Sequence, residues 1–334
     1  MPGMPETTQP GSEELVLGFL AEAGDEFVSG GAISDKLGLS RAAVWKHVEQ
    51  LRAHGYRIDA APARGYRLRE IPDRLTPLEL RPLIATRDLG QVLHCFDEVT
   101  STNDVARTLA EDEAGHGEVV IAERQTAGRG RRGRAWVSPP GRNLYLSAVL
   151  RPDLPPQRAP EITLVASVAL CDAVRQAGVE AGIKWPNDLL ASGRKLAGVL
   201  TELASEPDRV DWVVLGIGVN LNARPEDFPP ELRAEATSVA IERGQPAPRA
   251  LFAAALLKAL EDWLDRHADG GFGPVREAWR ERSVTLGREV QISADGRDIA
   301  GVAEDIDETG ALLVRAGKRL ERVLSGDVVL ARTR

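Results

Sequence analysis

The chain has 334 residues and a formal net charge of -8, which argues against a general nucleic-acid coat and leaves room for two or three domains. A hydrophobic fraction of 43% supports folding throughout, while no window approaches the ~18 apolar residues of a membrane span. The opening MPGMPETTQPGS lacks the basic start and apolar middle of a signal peptide, so residues 1–11 read as a disordered tail and the chain as cytoplasmic.

Cys95 and Cys171 lie far apart with no CxxC, which fits a reducing compartment and buried packing. The histidines show no HExxH spacing and no serine sits in GxSxG, so metalloprotease and serine-hydrolase chemistry fall away and no protein metal site is expected.

In chain order, Leu15, Val16, Phe19 and Leu20 recur at helical spacing and predict a helix from Ser12 to Ala23. A second helix covers Ala32 to Leu37, and Gly38 supplies the turn after it. Ser40 is placed to N-cap a third helix that shares Val44, Val48 and Leu51 on one face. YRIDAAPARGYRL then alternates about a Pro/Gly turn, as a β-hairpin does. Between residues 31 and 70 stand Lys36, Arg41, Lys46, Arg52, Arg57, Arg64, Arg67 and Arg69 against Asp35, Glu49, Asp59 and Glu70. Helix, glycine turn, capped basic helix and basic wing together predict a winged helix-turn-helix over 12–69, with Ser40, Arg41 and Lys46 as candidate DNA contacts. A helical bundle with a solvated basic face is the plain alternative.

REIPDRLTPLELRP carries three prolines and reads as a linker over 70–82. Beyond it the pattern is mixed α/β across 83–283. Strands are expected at 92–96, 118–122, 144–150, 182–185, 195–203 and 212–221, and helices at 162–177 and 249–267. From 284 to 334 five short runs between Gly/Asp turns predict a small SH3-like β-barrel. The fold class is α/β (α+β).

Four segments carry chemistry. Ser101, Thr102 and Asn103 open a helix after a strand and suit either a polar ligand head or ordinary capping. QTAGRGRRGRAW follows a strand: its glycines allow close backbone approach and its guanidinium forks bind phosphate or carboxylate oxygens. By itself it is equally an anion cradle or a surface loop. It is neither an RGG repeat nor a P-loop. KWPND at 184–188 is by itself a turn, and Lys195 opens the apolar strand KLAGVLTEL as a cleft lysine or a snorkelling edge lysine.

The order S-T-N, GRGRRGR, KWPND, KLAGVL resembles the biotin protein ligases of the bifunctional class, which also repress biotin-synthesis genes. The resemblance spans nearly the whole chain: winged helix-turn-helix, catalytic domain of the biotin/lipoate ligase type, C-terminal barrel. It implies activation of biotin by ATP with Mg2+ to biotinoyl-5'-AMP, then transfer to a lysine of a biotin carboxyl carrier domain. It also implies a homodimer promoted by the adenylate, bound to operator DNA. Carried over by position, Ser101, Thr102 and Asn103 meet the biotin ring. Gln125, Thr126, Arg129, Gly130, Arg131 and Arg132 wrap biotin and the adenylate phosphate. Asn187 and Asp188 line the nucleotide side, and Asn220 follows the next strand. Lys195 and Arg132 are the expected catalytic pair. A non-catalytic ligand-sensing transcription factor and a lipoate-type ligase are the competing readings.

Overall fold

A computed structural model describes residues 11–294 and 297–331. Of the expected tail only Gly11 lies within the described residues, where its N–H donates to Glu14 ahead of the first helix. The chain divides at Arg74 and Leu75 into two compact units.

The first unit contains α1 (Ser12–Glu22), α2 (Gly30–Leu37), α3 (Arg41–Ala53) and the antiparallel strands β1 (Arg57–Ala61) and β2 (Gly65–Glu70). Ser29 caps α2 through the Ala32 N–H, so the helix starts two residues before the predicted Ala32. Gly38 closes it at φ 66°, in the left-handed region that glycine enters without strain. Ser40 then accepts the Ala43 N–H at 3.1 Å and starts α3. Val16, Leu20, Ile33, Val44, Val48 and Leu51 are buried, which turns Arg41, Trp45 and Lys46 outward.

The second unit opens with α4 (Pro77–Leu80). Leu75 and Leu80 are buried, and the Leu75 N–H donates to Glu123 at 2.8 Å. The expected 70–82 linker is therefore corrected: from residue 75 onward it belongs to the core, because two leucines at a proline-rich start have an apolar layer to enter.

A mixed sheet follows, built from β3 (Leu93–Val99), β4 (Val119–Gln125), β5 (Leu144–Leu150), β6 (Gly182–Lys184), β7 (Asp188–Ala191), β8 (Arg194–Ser205) and β9 (Val210–Val219). Its order is β3-β4-β5-β9-β8-β7-β6, with β3 and β4 parallel and the other pairs antiparallel. Alternation along β4 sorts its two faces: Val119 and Ile121 enter the main core, whereas Val120 packs with Ala106 and Ala110 of α5 (Thr102–Glu111). The main core is covered by α6 (Pro160–Gln176), α8 (Arg249–Gly270) and α9 (Phe272–Arg282), while α7 (Val239–Arg243) caps the loop after β9. With both faces covered, all seven residues of β5 are buried.

Neither α9 nor β7 was expected. The Gly-Gly-Phe-Gly-Pro run masks the start of α9, which nevertheless buries Phe272, Val275 and Trp279. β7 is only four residues long and begins inside KWPND.

The C-terminal strands are β10 (Glu289–Ala294), β11 (Arg297–Ile306), β12 (Leu312–Ala316), β13 (Arg319–Val323) and β14 (Asp327–Leu330). They form an antiparallel sheet ordered β13-β12-β11-β10-β14. Among the described residues the ladder stays open between β13 and β14, because β14 pairs on the β10 side. Val290, Ile292, Val314 and Val328 share one core with Ile183, Trp185 and Trp279. That shared apolar layer makes the last strands part of the second unit.

Candidate active site

Four segments that are distant in sequence meet where β4, β7, β8 and β9 end or begin. Strand β4 delivers Gln125, and the Gly/Arg segment follows as a loop folded on itself. Gly130 N donates to Arg134 O at 2.7 Å and Trp136 N to Gly128 O at 2.8 Å. Arg129 clamps Asp104 with two bonds, 2.9 and 2.7 Å, tying the loop to the first turn of α5.

The other arginines split. Arg131 donates to Asn187 Oδ1 at 3.1 Å, and burial pushes its guanidinium below the ordinary value. Arg131 Nη1 also lies 3.4 Å from Gly326 O, and Arg132, with a left-handed φ of 55°, pairs with the next residue, Asp327, at 2.9 Å, with Arg134 on the same carboxylate. Arg132, the expected catalytic arginine, is thus paired with Asp327, while Arg131 is the one of the two that also reaches Asn187.

Lys195 stands 2.6 Å from Asp188 Oδ1, and its ammonium lies 5.5 Å from the centroid of the Trp136 ring. Lys184 is half-buried nearby, and burial lowers its pKa against the pull of Asp188. Asn187 Nδ2 donates to Val199 O, which leaves its Oδ1 facing Arg131. The indole Nε1 of Trp136 is buried with no partner among the described residues. The cleft thus gathers three cations and an unused donor around two acceptors, as an anionic ligand demands.

Beside it lies a buried polar cluster. Ser101 heads α5 without capping it through its side chain. Thr102 and Asn103 are also buried and share the Ser147 hydroxyl, at 2.8 and 2.7 Å. The Thr102 N–H donates to Gln125 Oε1 at 2.9 Å, and Asn103 Nδ2 donates to Glu202. Glycines 216 and 218 of β9 make room: a Cβ there would stand 2.1 Å from Asn103 Oδ1 and 2.7 Å from the Trp136 ring.

Two expected ligand contacts fall outside this group. Thr126 is exposed and bonds Val99 O of β3 through both its N–H and its hydroxyl. Asn220 is buried, and its Nδ2 donates to Thr237 O. The same segment's Thr237 N–H donates to Lys195 O. Sequence reasoning missed Asp104, Glu202 and Trp136. No spacing rule marks them, since their partners lie across the sheet.

In the first unit Arg41 and Lys46 are exposed on the outer face of α3, while the Ser40 oxygen is engaged as the cap. Trp45 stands between them at 58% exposure, an aromatic that helical spacing could have flagged four residues after Arg41. On the wing side Arg64 and Arg67 stack on Phe27 at 4.2 and 4.3 Å.

Comparison with known proteins gives this geometry its context. Residues 95–220 match the Biotin/lipoate A/B protein ligase family, 13–67 an HTH domain, and 285–331 the Biotin protein ligase C terminal domain. The Bifunctional ligase/repressor BirA of Bacillus subtilis strain 168 is 40% identical over 313 residues, 93% of this chain and 96% of that protein. The chain belongs to the bifunctional biotin ligase/repressor family. Its Escherichia coli K12 relative, also a Bifunctional ligase/repressor BirA, is 32% identical across 92% of this chain and 94% of that one. Among solved structures, the biotin protein ligase from Aquifex aeolicus in complex with biotin and ATP matches at TM-score 0.63 and 29% identity, over 72% of this chain and 99% of that one. This family member carries all three matched segments on one chain. Among the described residues no helix is long and apolar enough to cross a membrane.

Proposed function

We propose that this member of the family joins biotin to ATP, giving biotinoyl-5'-AMP and pyrophosphate, and then passes the biotinoyl group to a lysine of a biotin carboxyl carrier domain. The observation that carries the reading is the cleft in which Lys195, Lys184 and Arg131 surround Asp188 and Asn187 beside the buried Thr102–Asn103 cluster. A carboxylate attacking an α-phosphate brings two anions together, and fixed cations offset their repulsion. Lys195, aimed by Asp188, bridges the biotin carboxylate and the phosphate. Arg131 holds the phosphate from the loop side. Ser101, Thr102, Asn103 and Gln125 take the biotin ring.

Asp188 is the carboxylate in the cleft that would meet a Mg2+ ion brought in with the triphosphate. When bound it offsets phosphate charge. Among the described residues no group of three or more acidic, His or Cys side chains forms a separate cage for a metal.

The same chain acts in the cytoplasm as an adenylate-dependent repressor. Biotinoyl-5'-AMP promotes a homodimer whose two recognition helices read paired half-sites. The outward face of α3, with Arg41, Trp45 and Lys46, supports this part of the reading.

The test is biotin-dependent ATP–pyrophosphate exchange, with mass transfer to a carrier-domain lysine and lipoate as the competing acid. Full exchange in Lys195→Ala would remove that residue from the mechanism. Salt-sensitive, adenylate-dependent binding to biotin-gene promoter DNA tests repression.

A further inference from the structure

Glu202 lies on β8, seven residues beyond Lys195, near the end of the KLAGVLTEL strand and with no role assigned to it there. Its carboxylate accepts the Asn103 amide, Nδ2 to Oε2, at 2.6 Å, and its other oxygen stands 3.7 Å from Arg129 Nη2. Asn103 Oδ1 then meets Ser147 Oγ at 2.7 Å, and Ser147 lies 2.8 Å from Thr102 Oγ1. The Thr102 N–H donates to Gln125 Oε1 at 2.9 Å, and the Thr102 hydroxyl lies 3.2 Å from the same oxygen. Gln125 Nε2 donates to Ser138 at 3.0 Å. The chain runs from the sheet to the root of the Gly/Arg loop.

The Thr102 N–H only donates, so it fixes Gln125 with Oε1 toward α5. At the other end Asn103 and Ser147 can each donate and accept, so without Glu202 the Asn103 amide can invert and the Ser147 hydroxyl rotate. An ionised carboxylate only accepts, which turns the Asn103 amide nitrogen toward it and presents Oδ1 to Ser147. The inverted amide would set a carbonyl against a carboxylate and a second donor against Ser147. Asn103 fits here because Gly216 has no side chain: a Cβ there would stand 2.1 Å from Asn103 Oδ1.

We infer that Glu202 is a positioning residue for biotin: it fixes the orientation of the Asn103 amide and through it the Ser147 hydroxyl, and so decides which donors and acceptors that side of the cluster offers the ligand ring. The inference rests on the reading that this cluster takes the biotin ring. A cyclic urea presents two N–H donors on either side of one carbonyl, and a site of mixed polarity matches it poorly. Through Arg129 the same carboxylate connects ring recognition to the loop clamped on Asp104.

The experiment uses the full chain in biotin-dependent ATP–pyrophosphate exchange, varying biotin and ATP separately. In Glu202→Gln the new amide can donate to Asn103 or accept from it, so the fixed polarity is lost with little change of volume. The KM for biotin is expected to rise about tenfold or more, as for a lost charge-assisted hydrogen bond. The KM for ATP is expected to stay within about twofold, because uniform binding of the other substrate is untouched. Ser147→Ala, which cuts the chain at its middle, should show the same biotin-selective rise. The double variant should be no worse than the worse single one, as groups acting in one network are.

An unchanged KM for biotin in Glu202→Gln, equal rises for both substrates, or additive losses in the double variant would each overturn the inference. If Glu202→Gln does not fold, Ser147→Ala decides by the same criterion. A wild-type chain with no biotin-dependent exchange removes the ligase reading and the inference together. An active wild type with an indifferent Glu202→Gln removes the inference alone.

Discussion

Replacing Arg131 and Arg132 separately with alanine should give very unequal losses. Arg131 is partly buried, hydrogen-bonded to Asn187 and pushed below its ordinary pKa by burial, so its guanidinium faces the cleft with little water to screen it. A fixed donor of this kind at a developing phosphate charge is worth about 3 kcal/mol. At room temperature that is about 150-fold in kcat/KM. Arg132 is 43% exposed and spends its charge on Asp327. A half-exposed ion pair contributes about 0–1 kcal/mol, so Arg132→Ala should lose no more than about fivefold. Arg131→Lys keeps the charge but loses the fork, and should fall between wild type and Arg131→Ala. The assay is steady-state biotin-dependent pyrophosphate exchange, with circular dichroism to confirm folding. Equal losses in the two alanine variants, or a larger one in Arg132→Ala, would refute the assignment of the inward guanidinium to Arg131.

Three further predictions concern other parts of the chain. Burial by itself would raise Glu161, but hydrogen bonds from His267 and Arg158 outweigh it and hold the carboxyl below its ordinary value of 4.5. A carboxylate lowered by folding contributes stability that is complete above its unfolded pKa and is lost as pH falls through the folded one. Thermal midpoints should therefore drop less steeply below pH 4.5 in Glu161→Gln than in wild type, and parallel pH curves would contradict the linkage. Trp45→Ala should weaken operator binding about tenfold through lost apolar contact, with an unchanged salt slope. Lys46→Ala should instead lower that slope by about one, and a shallower slope in Trp45→Ala would count against a base-facing tryptophan.

Local signals explain what could be read early. Ser40, Gly38 and the Val44–Val48–Leu51 face specify α3 because capping, positive φ and helical burial act within a few residues. The mostly apolar run of β5, broken only by Ser147, marked a strand. Where only a few residues stood between Pro and Gly, as in β7 and at the start of α9, breaker residues outvoted packing and the elements went unseen.

By itself, then, the sequence determined the helix-turn-helix, the mixed sheet, the five C-terminal strands and the motifs that come together in the cleft. Periodicity and turn chemistry are properties of neighbouring residues, and they survive without a third dimension. Tertiary structure alone decided that Arg131 reaches Asn187 while its neighbour pairs with Asp327. It alone tied Asp327 to the loop across 195 residues, and Glu202 to Asn103 across 99. Pairings at such separations are set by how strands are ordered in the sheets, and no spacing along the chain encodes them.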